Sequence, residues 1–267
     1  MKMERIKLVV LDMDGTLLVD NHDTSQENID AIVKLQKQGV KVAVASGRNV
    51  KGLKFIVDAL RLEEFGGFCV GNNGQELMDY QTGELVVGAK IPFDLAYQAI
   101  RYGIDHDFQV FGHADDLRFF YVPQNARLAR EWANNNTYDD EIITREKPDM
   151  DKVGYFVCDD GAKQVAKEFG ELVGDKVQVL AVNNDTVELA PIGVDKVIGV
   201  DALVEKYDYQ LEEVLIFGDG QNDINMMRKY PSVAMGNAYP EVKEISKYHT
   251  IDNHENGVAY FIENYIL

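Results

Sequence analysis

The sequence predicts an α/β fold in which a parallel sheet covered by helices is interrupted by an inserted α+β domain. Two observations support this prediction, one for the parallel sheet and one for the inserted domain. Apolar runs typical of buried strands alternate with helical segments in residues 6–81, and the alternation returns in residues 193–267. Between these blocks a helix–strand–strand pattern occurs twice, which indicates antiparallel hairpins. The length of 267 residues with 46% apolar content is enough for two domains.

The first block predicts three strands and two helices. The strands are expected at residues 6–11, 40–45 and 68–71. The first helix is expected over residues 25–38, because Ile29, Ile32 and Leu35 fall on one side and Gly39 follows its end. The second is expected over residues 49–62. This block therefore reads as consecutive strand–helix–strand units.

The last block repeats the alternation. Its helices are predicted over residues 195–207 and 223–229, and its strands over residues 214–217 and 232–235. Because both blocks have the same pattern, we expect them to form one sheet.

The middle block is predicted to be the inserted domain. Its helices are expected at residues 92–106, 124–135 and 160–173, and its strands at residues 108–112, 117–122, 152–158, 176–182 and 186–190. Insertions are tolerated where two chain ends lie close together at a domain surface. We therefore expect one domain from residues 1–81 and 191–267, and an inserted domain over residues 82–190.

Composition limits the partners. The net charge is −18 and the pI is about 4.6, without a basic stripe, which argues against nucleic acid and anionic membrane surfaces. No apolar run approaches the ~20 residues that span a bilayer, and the first residues do not resemble a signal peptide. Cys69 and Cys158 lack CxxC spacing and read as buried free thiols, so a cytoplasmic location is predicted.

Two carboxylates follow the first predicted strand. Asp12 and Asp14 precede Gly15, which breaks the strand pattern, so both should lie at the carboxyl end of the strand. Ligands bind at this edge in open α/β sheets. One carboxylate there could attack a phosphorus atom while the other handles a proton. The alternative is an acidic turn, because Asp and Gly are common turn residues.

Two further segments offer groups for an anion. Ser46, Gly47 and Arg48 end the second strand and begin a helix, where backbone N–H groups and the helix dipole attract anions. Ser46 alone could instead be an ordinary N-cap. Lys196 stands near the start of a helix, where a cation opposes the dipole. A bound phosphate would explain Lys196, and a solvated lysine is the alternative.

A second acidic turn follows the strand at residues 214–217. Asp219 and Asp223 should lie near one another there. Bringing them together with Asp12 and Asp14 without a cation would be costly because of repulsion and desolvation. Such an oxygen-rich cluster suits Mg²⁺, which also shares phosphate oxygens. The sequence therefore predicts a magnesium site.

These segments together resemble the haloacid dehalogenase superfamily of phosphohydrolases, in particular the Cof-type branch with a large α/β cap of type C2. Four motifs occur in the family's order: Asp12-Met13-Asp14-Gly15-Thr16, Ser46-Gly47-Arg48, Lys196, and Gly218-Asp219-Gly220-Gln221-Asn222-Asp223. The resemblance covers essentially the whole chain and implies a Rossmann-like core with the middle block as cap. Many members of the branch have threonine where this chain has Ser46, which keeps the hydroxyl.

The resemblance also implies a role for each matched residue. Asp12 is expected to be the nucleophile that forms an aspartyl-phosphate, and Asp14 the general acid and base. Mg²⁺ is expected to be held by Asp12, the Asp14 carbonyl and Asp219, with Asp223 either binding it directly or orienting its waters. The groups expected to hold the phosphate or substrate are Ser46, Arg48, Lys196, Asn222 and the amides of Met13 and Gly47.

The implied substrate is a small phosphorylated metabolite. Sugar phosphates are the leading class and phosphorylated cofactors come next. A sugar phosphomutase would use the same core and return the phosphate to its substrate. A binding protein without activity is the other alternative, but loss of Asp12 or Asp219 would have signalled it, and both are present.

Overall fold

The fold is described from a computed structural model of the chain. The described residues are 3, 5–19, 23–114, 117–123, 137–157, 161–182 and 184–267. The predicted helix over residues 124–135 and Cys158 lie outside them. The chain divides into two compact units, one made of Met1–Gly88 with Val194–Leu267 and the other of Ala89–Gly193.

The first unit contains an eight-stranded sheet. Its strands are β1 (Leu8–Asp12), β2 (Lys41–Ala45), β3 (Phe68–Gly71), β4 (Glu76–Asp79), β5 (Glu84–Val87), β11 (Val214–Gly218), β12 (Ser232–Ala234) and β13 (Tyr248–His249). They run in the order β13-β12-β11-β1-β2-β3-β4-β5. Neighbours are parallel from β13 to β3, and β4 and β5 add an antiparallel hairpin. The α/β class predicted from the sequence is confirmed.

The two chain segments of this unit meet at β1. This strand pairs with β2 on one side and with β11 on the other, both in parallel. Asp12 lies beside Ala45, and Leu11 lies beside Phe217, so the carboxyl ends of the three strands share one edge. The order of the strands changes direction at β1, which is where open α/β sheets bind ligands.

Helices pack on this sheet in two groups. The α-helices of the unit are α1 (Gln26–Lys37), α2 (Lys54–Leu60), α3 (Leu62–Phe65), α7 (Lys196–Lys206), α8 (Ile224–Lys229), α9 (Pro240–Ile245) and α10 (Gly257–Phe261). Short 3-10 helices cover Val50–Leu53, Asn72–Gly74, Leu211–Glu213, Gln221–Asp223 and Asn253–Glu255, and Ile262–Ile266 is a π-helix. Helix α1 packs against α2 and α10, whereas α8 packs against α7 and α9.

The predicted helix over residues 49–62 is interrupted. The Asn49 side chain caps a 3-10 turn by accepting a hydrogen bond of 2.9 Å from the Gly52 N–H. Arg61 then adopts a left-handed conformation with φ 57°, which ends α2 and begins α3. A regular helix cannot continue through such a residue. The prediction of one continuous helix over these residues is therefore wrong.

Asp79 joins the added hairpin to the end of α7. Its carboxylate is buried and accepts hydrogen bonds from Lys206 Nζ at 2.5 Å, the Tyr207 hydroxyl at 2.6 Å, and the N–H groups of Gln81 at 2.9 Å and Thr82 at 3.2 Å. Burial opposes ionisation, but these donors outweigh it and lower the pKa of Asp79 to about 2. The hairpin is therefore fixed to the helix by an ionised carboxylate.

The second unit is built around a five-stranded antiparallel sheet in the order β7-β6-β8-β10-β9. Its strands are β6 (Gln109–Ala114), β7 (Leu117–Tyr121), β8 (Lys152–Phe156), β9 (Gln178–Ala181) and β10 (Thr186–Ala190). Among its described residues, the helices are α4 (Phe93–Asp105), α5 (Asp140–Glu146), α6 (Ala162–Val173) and a 3-10 turn over Gly174–Lys176. Helices α4 and α6 pack on the sheet, with Ile100, Tyr155 and Phe169 in the core between them.

The unit boundary after the first block falls later than residue 82. Strand β5 pairs with β4 in the eight-stranded sheet, so the first unit extends to Gly88. At the return, the second unit extends to Gly193. In the described part of the chain, no helix combines the length and apolarity needed to cross a bilayer.

Candidate active site

The carboxyl ends of β1, β2 and β11 bring together three of the predicted segments. Asp12 is the last residue of β1, Ser46 directly follows β2, and Asp219 directly follows β11. Lys196, the first residue of α7, reaches the same place from a helix N-terminus. The four segments belong to the first unit and are far apart in sequence.

Three carboxylates form a cluster at this edge. One oxygen from each of Asp12, Asp219 and Asp223 lies within 4.8 Å of the others. Lys196 Nζ donates to Asp12 Oδ1 at 2.5 Å and to Asp223 Oδ1 at 2.8 Å, and its side chain is fully buried. The alternative of a solvated lysine is therefore wrong. A single ammonium leaves two negative charges of the ionised cluster uncompensated.

The pKa shifts show the cost of this arrangement. Burial raises the pKa of the Asp12 carboxyl well above its usual range, and the nearby Asp223 adds to the effect. Burial also raises the pKa of Asp219 to about 6, against the hydrogen bond that it accepts from Thr16. Burial favours a neutral Lys196, but Asp12 and Asp223 outweigh it and raise the pKa of the lysine.

The cluster fits a hard divalent cation. Its donor atoms are carboxylate oxygens alone, which is the set that Mg²⁺ prefers, and it carries the uncompensated charge that a cation would neutralise. Asp12, Asp219 and Asp223 are therefore the side chains that could hold Mg²⁺.

The turn after β11 fixes two of these carboxylates. Asp223 Oδ2 accepts hydrogen bonds from the N–H groups of Asp219 at 3.1 Å and Gly220 at 3.0 Å. Asp219 Oδ1 accepts one of 2.8 Å from the Thr16 hydroxyl. Gly15 has φ 90°, and a Cβ atom there would lie 2.9 Å from Asp219 Oδ1. The Gly-Thr pair after Asp14 therefore makes room for Asp219 and then orients it.

Asp14 lies outside the cluster. Its side chain is 39% exposed and forms a fork with Arg48, whose Nη2 is 2.6 Å from Oδ1 and whose Nε is 3.3 Å from Oδ2. The Asp14 carboxylate is thus separate from the acidic cluster of the described residues. Metal binding by the Asp14 backbone carbonyl, which the family resemblance implies, stays a prediction.

The remaining predicted anion-binding groups lie in the turns after β1, β2 and β11. Ser46 is buried, and its hydroxyl accepts a hydrogen bond of 3.1 Å from the Arg48 N–H, as an N-cap residue would. Asn222 is exposed, and Met13 is buried with its carbonyl accepting bonds from the following turn. Gly47 lies against the side chain of Asn73, since an added Cβ would be 3.3 Å from its Oδ1.

The loop that follows β3 supports this region. Asn72, Asn73 and Gly74 have positive φ values of 48°, 54° and 100°. The Asn73 N–H donates to the Ser46 carbonyl at 2.9 Å, and a Cβ on Gly74 would lie 2.7 Å from the carbonyl carbon of Asp195. The loop therefore packs against both Ser46 and the start of α7.

Comparison with known proteins shows the family of this chain. A family model described as haloacid dehalogenase-like hydrolase matches residues 9–262. The chain belongs to this family. It is 28% identical to the 5-amino-6-(5-phospho-D-ribitylamino)uracil phosphatase of Bacillus subtilis, over 98% of this chain and 96% of that protein. The family resemblance inferred from the four motifs is confirmed, and the chain is a phosphoric monoester hydrolase.

Solved structures show the same fold. A haloacid dehalogenase-like hydrolase from Bacteroides thetaiotaomicron superposes with a TM-score of 0.81 at 27% identity, covering 97% of this chain and 98% of that one. A sugar phosphatase of HAD subclass IIB superposes with a TM-score of 0.79 at 21% identity, covering 96% and 98%. The fold is therefore that of these hydrolases.

Proposed function

We propose that this protein is a Mg²⁺-dependent phosphatase that hydrolyses a small phosphorylated metabolite through an aspartyl-phosphate on Asp12. The observation that carries the proposal is the buried cluster of Asp12, Asp219 and Asp223 with Lys196, at the carboxyl edge of the parallel sheet. When bound, Mg²⁺ would neutralise these carboxylates and the phosphate oxygens, and so favour ionised Asp12 beside an anionic substrate.

In the first step, a carboxylate oxygen of Asp12 forms a bond to phosphorus while the ester P–O bond breaks on the opposite side. Lys196 holds the Asp12 carboxylate in place through its 2.5 Å hydrogen bond. Asp14 gives a proton to the departing alcohol. In the second step, Asp14 takes a proton from the water that attacks the same phosphorus, which releases phosphate and restores Asp12.

The geometry of Asp14 suits this role. Its carboxylate is partly exposed and does not belong to the cluster, although Asp14 is only two residues from Asp12. A leaving group or a water molecule could therefore approach it. Arg48 holds it through two N–H groups. Ser46, Gly47, Met13 and Asn222 are proposed to hold the phosphate oxygens, with Arg48 assisting at the substrate.

The substrate class is proposed from the relatives. Sugar phosphates lead, since a sugar phosphatase shares the fold, and phosphorylated cofactors or their precursors are the alternative suggested by the relative from Bacillus subtilis. We propose that the second unit, predicted as residues 82–190, is the cap that selects the leaving group. A cytoplasmic location is part of the same proposal.

A trapping experiment tests the covalent step. Wild-type protein and Asp12→Asn are mixed with a radiolabelled phosphate ester and Mg²⁺, then quenched in acid. We expect label on the wild-type chain that hydroxylamine releases, and none on Asp12→Asn, because the amide cannot form an acyl phosphate. Turnover without labelled protein, or rapid turnover by Asp12→Asn, would contradict the mechanism.

A metabolite panel tests the reaction type. Free phosphate released from sugar monophosphates supports a phosphatase. An isomeric sugar phosphate without free phosphate would instead identify a phosphomutase.

A further inference from the structure

The residues after β1 form a tight turn that carries Asp14. The N–H groups of Thr16, Leu17 and Leu18 all point to the Met13 carbonyl, at distances of 3.4, 3.0 and 2.8 Å. These bonds close the turn from within. The carbonyls of the turn need partners from elsewhere in the chain.

Two asparagines more than 200 positions away supply such partners. Asn237 Nδ2 donates to the Gly15 carbonyl at 2.7 Å, and Asn253 Nδ2 donates to the Leu18 carbonyl at 2.9 Å. The two asparagines are also joined, since the Asn253 N–H donates to Asn237 Oδ1 at 3.1 Å. We call Asn237 and Asn253 the asparagine clamp. It holds both ends of the turn from Gly15 to Leu18.

The clamp is itself fixed by neighbouring loops. Asn237 lies just after β12, where the Gly236 N–H donates to the Ile251 carbonyl at 3.1 Å. Asn253 is buried, and the preceding Asp252 caps its 3-10 turn by accepting a hydrogen bond of 3.0 Å from the His254 N–H. These bonds therefore fix the backbone next to both asparagines of the clamp.

Gly15 is the position where this matters most. It has no side chain, its φ is 90°, and the Asp219 carboxylate occupies the space where a Cβ would be. A glycine backbone rotates readily unless its peptide groups are bonded. The Gly15 carbonyl is part of the peptide group between Gly15 and Thr16, which adjoins the peptide group between Asp14 and Gly15. Rotation of the first group would therefore shift Asp14.

We propose that Asn237, supported by Asn253, is a positioning residue that aims Asp14 at the leaving group. This inference rests on the proposed function, in which Asp14 is the general acid. Asn237 donates to the Gly15 carbonyl, whereas Lys196 is the residue that donates to Asp12 and Asp223 of the cation cluster, so the main effect of Asn237 is expected on the proton that Asp14 delivers.

Leaving-group dependence tests this proposal. A poor alkoxide leaving group needs the proton from Asp14, whereas p-nitrophenolate departs readily as the anion. In Asn237→Ala we expect the single-turnover rate of phosphoenzyme formation from a hexose 6-phosphate or another turned-over alkyl phosphate to fall by roughly 30-fold, less than the ~10²-fold that loss of a general acid costs. For p-nitrophenyl phosphate we expect the single-turnover release of p-nitrophenolate, which reports the same step, to slow by less than about 3-fold, since the acid contributes little there. The first step is compared because the second step, in which Asp14 acts as base, is common to both esters.

Two further variants separate positioning from folding. Asn264→Ala is the matched control, because Asn264 Nδ2 also donates to a backbone carbonyl, that of Tyr260, at 2.7 Å in an exposed setting. It should leave both substrates unchanged. Asn237→Asp retains an acceptor for the Asn253 N–H but loses the donor to Gly15, so it should show the same selective loss. Circular dichroism melts confirm that each variant is folded at the assay temperature.

The outcomes are distinct. Selective loss on the alkyl ester supports the proposal. An equal slowing of the first step on both substrates, or no slowing on either, overturns it, because neither would point to the proton that Asp14 delivers to the leaving group. If the wild-type protein releases phosphate from neither substrate in Mg²⁺, the proposed function fails and this inference fails with it.

Discussion

Replacing Asp79 by Asn removes the buried carboxylate that ties the β4–β5 hairpin to α7. The pKa of Asp79 is about 2 in the folded chain against an ordinary value of 3.8. A depressed pKa stabilises the fold at every pH above the unfolded value, and the contribution is lost as the pH falls through the folded value. The difference corresponds to about 2 kcal/mol at pH 7 and about 1 kcal/mol at pH 3.

Urea denaturation of the wild-type protein and Asp79→Asn measures this difference. We expect the free energy of unfolding of the variant to be lower by about 2 kcal/mol from pH 5 to pH 7, with the gap narrowing below pH 4. The narrowing should follow from the wild-type protein losing stability as Asp79 gains a proton. The variant has no carboxylate there to titrate.

Asp201 offers a matched control. Its carboxylate also accepts from a lysine and a tyrosine, Lys229 at 2.7 Å and Tyr230 at 2.6 Å, but its side chain is 33% exposed. Asp201→Asn should cost under about 1 kcal/mol, as is usual for exposed pairs. The assignment of an ionised, stabilising carboxylate would be refuted if the wild-type protein and Asp79→Asn had equal free energies of unfolding at pH 7. It would also be refuted if the difference between them widened as the pH falls.

Three predictions concern the site. Asp14→Asn should lower turnover of an alkyl phosphate by at least ~10²-fold and let labelled phosphoenzyme accumulate from p-nitrophenyl phosphate, which an acid quench would detect. Chelation with EDTA should abolish phosphate release, and Mg²⁺ should restore it. Ca²⁺ should inhibit, because its larger and looser coordination shell misplaces the reacting groups. Full activity in EDTA would contradict a role for Asp219. Thr16→Val should raise the Mg²⁺ concentration for half-maximal activity by about 10-fold, because Asp219 loses the hydroxyl that orients it; an unchanged Mg²⁺ titration would count against that role.

Sequence patterns predicted the parts of the fold that local chemistry determines. The strands that end at Asp12 and Ala45 and before Asp219 are buried apolar runs, so their ends and the carboxylates after them could be placed in advance. Strand β5 was not predicted, because Leu85 and Val86 are both about half exposed and lack the alternation of a half-buried strand.

The contacts that complete the site depend on distant segments. The Thr16 hydroxyl meets Asp219 across 203 positions, and Asn237 meets Gly15 across 222. The pattern of apolar and polar residues within a single segment cannot predict such a contact between distant segments. The sequence could therefore indicate that Asp12, Asp219 and Asp223 gather at the sheet edge, although it also grouped Asp14 with them. It could not indicate the hydroxyl and amides that orient these residues.

The pairing of β1 with β11 also has a consequence for folding. Asp12 comes from the first segment of the discontinuous unit, whereas Lys196 and Asp223 come from the second, after all of Ala89–Gly193. Closing so long a loop is slow, and sheets dominated by distant pairings fold late. During synthesis, β1 and β2 must wait for β11 while the second unit can already fold. A nascent chain therefore holds Asp12 without the partners needed for cation binding, and activity should arise in a single late step when β11 joins the sheet.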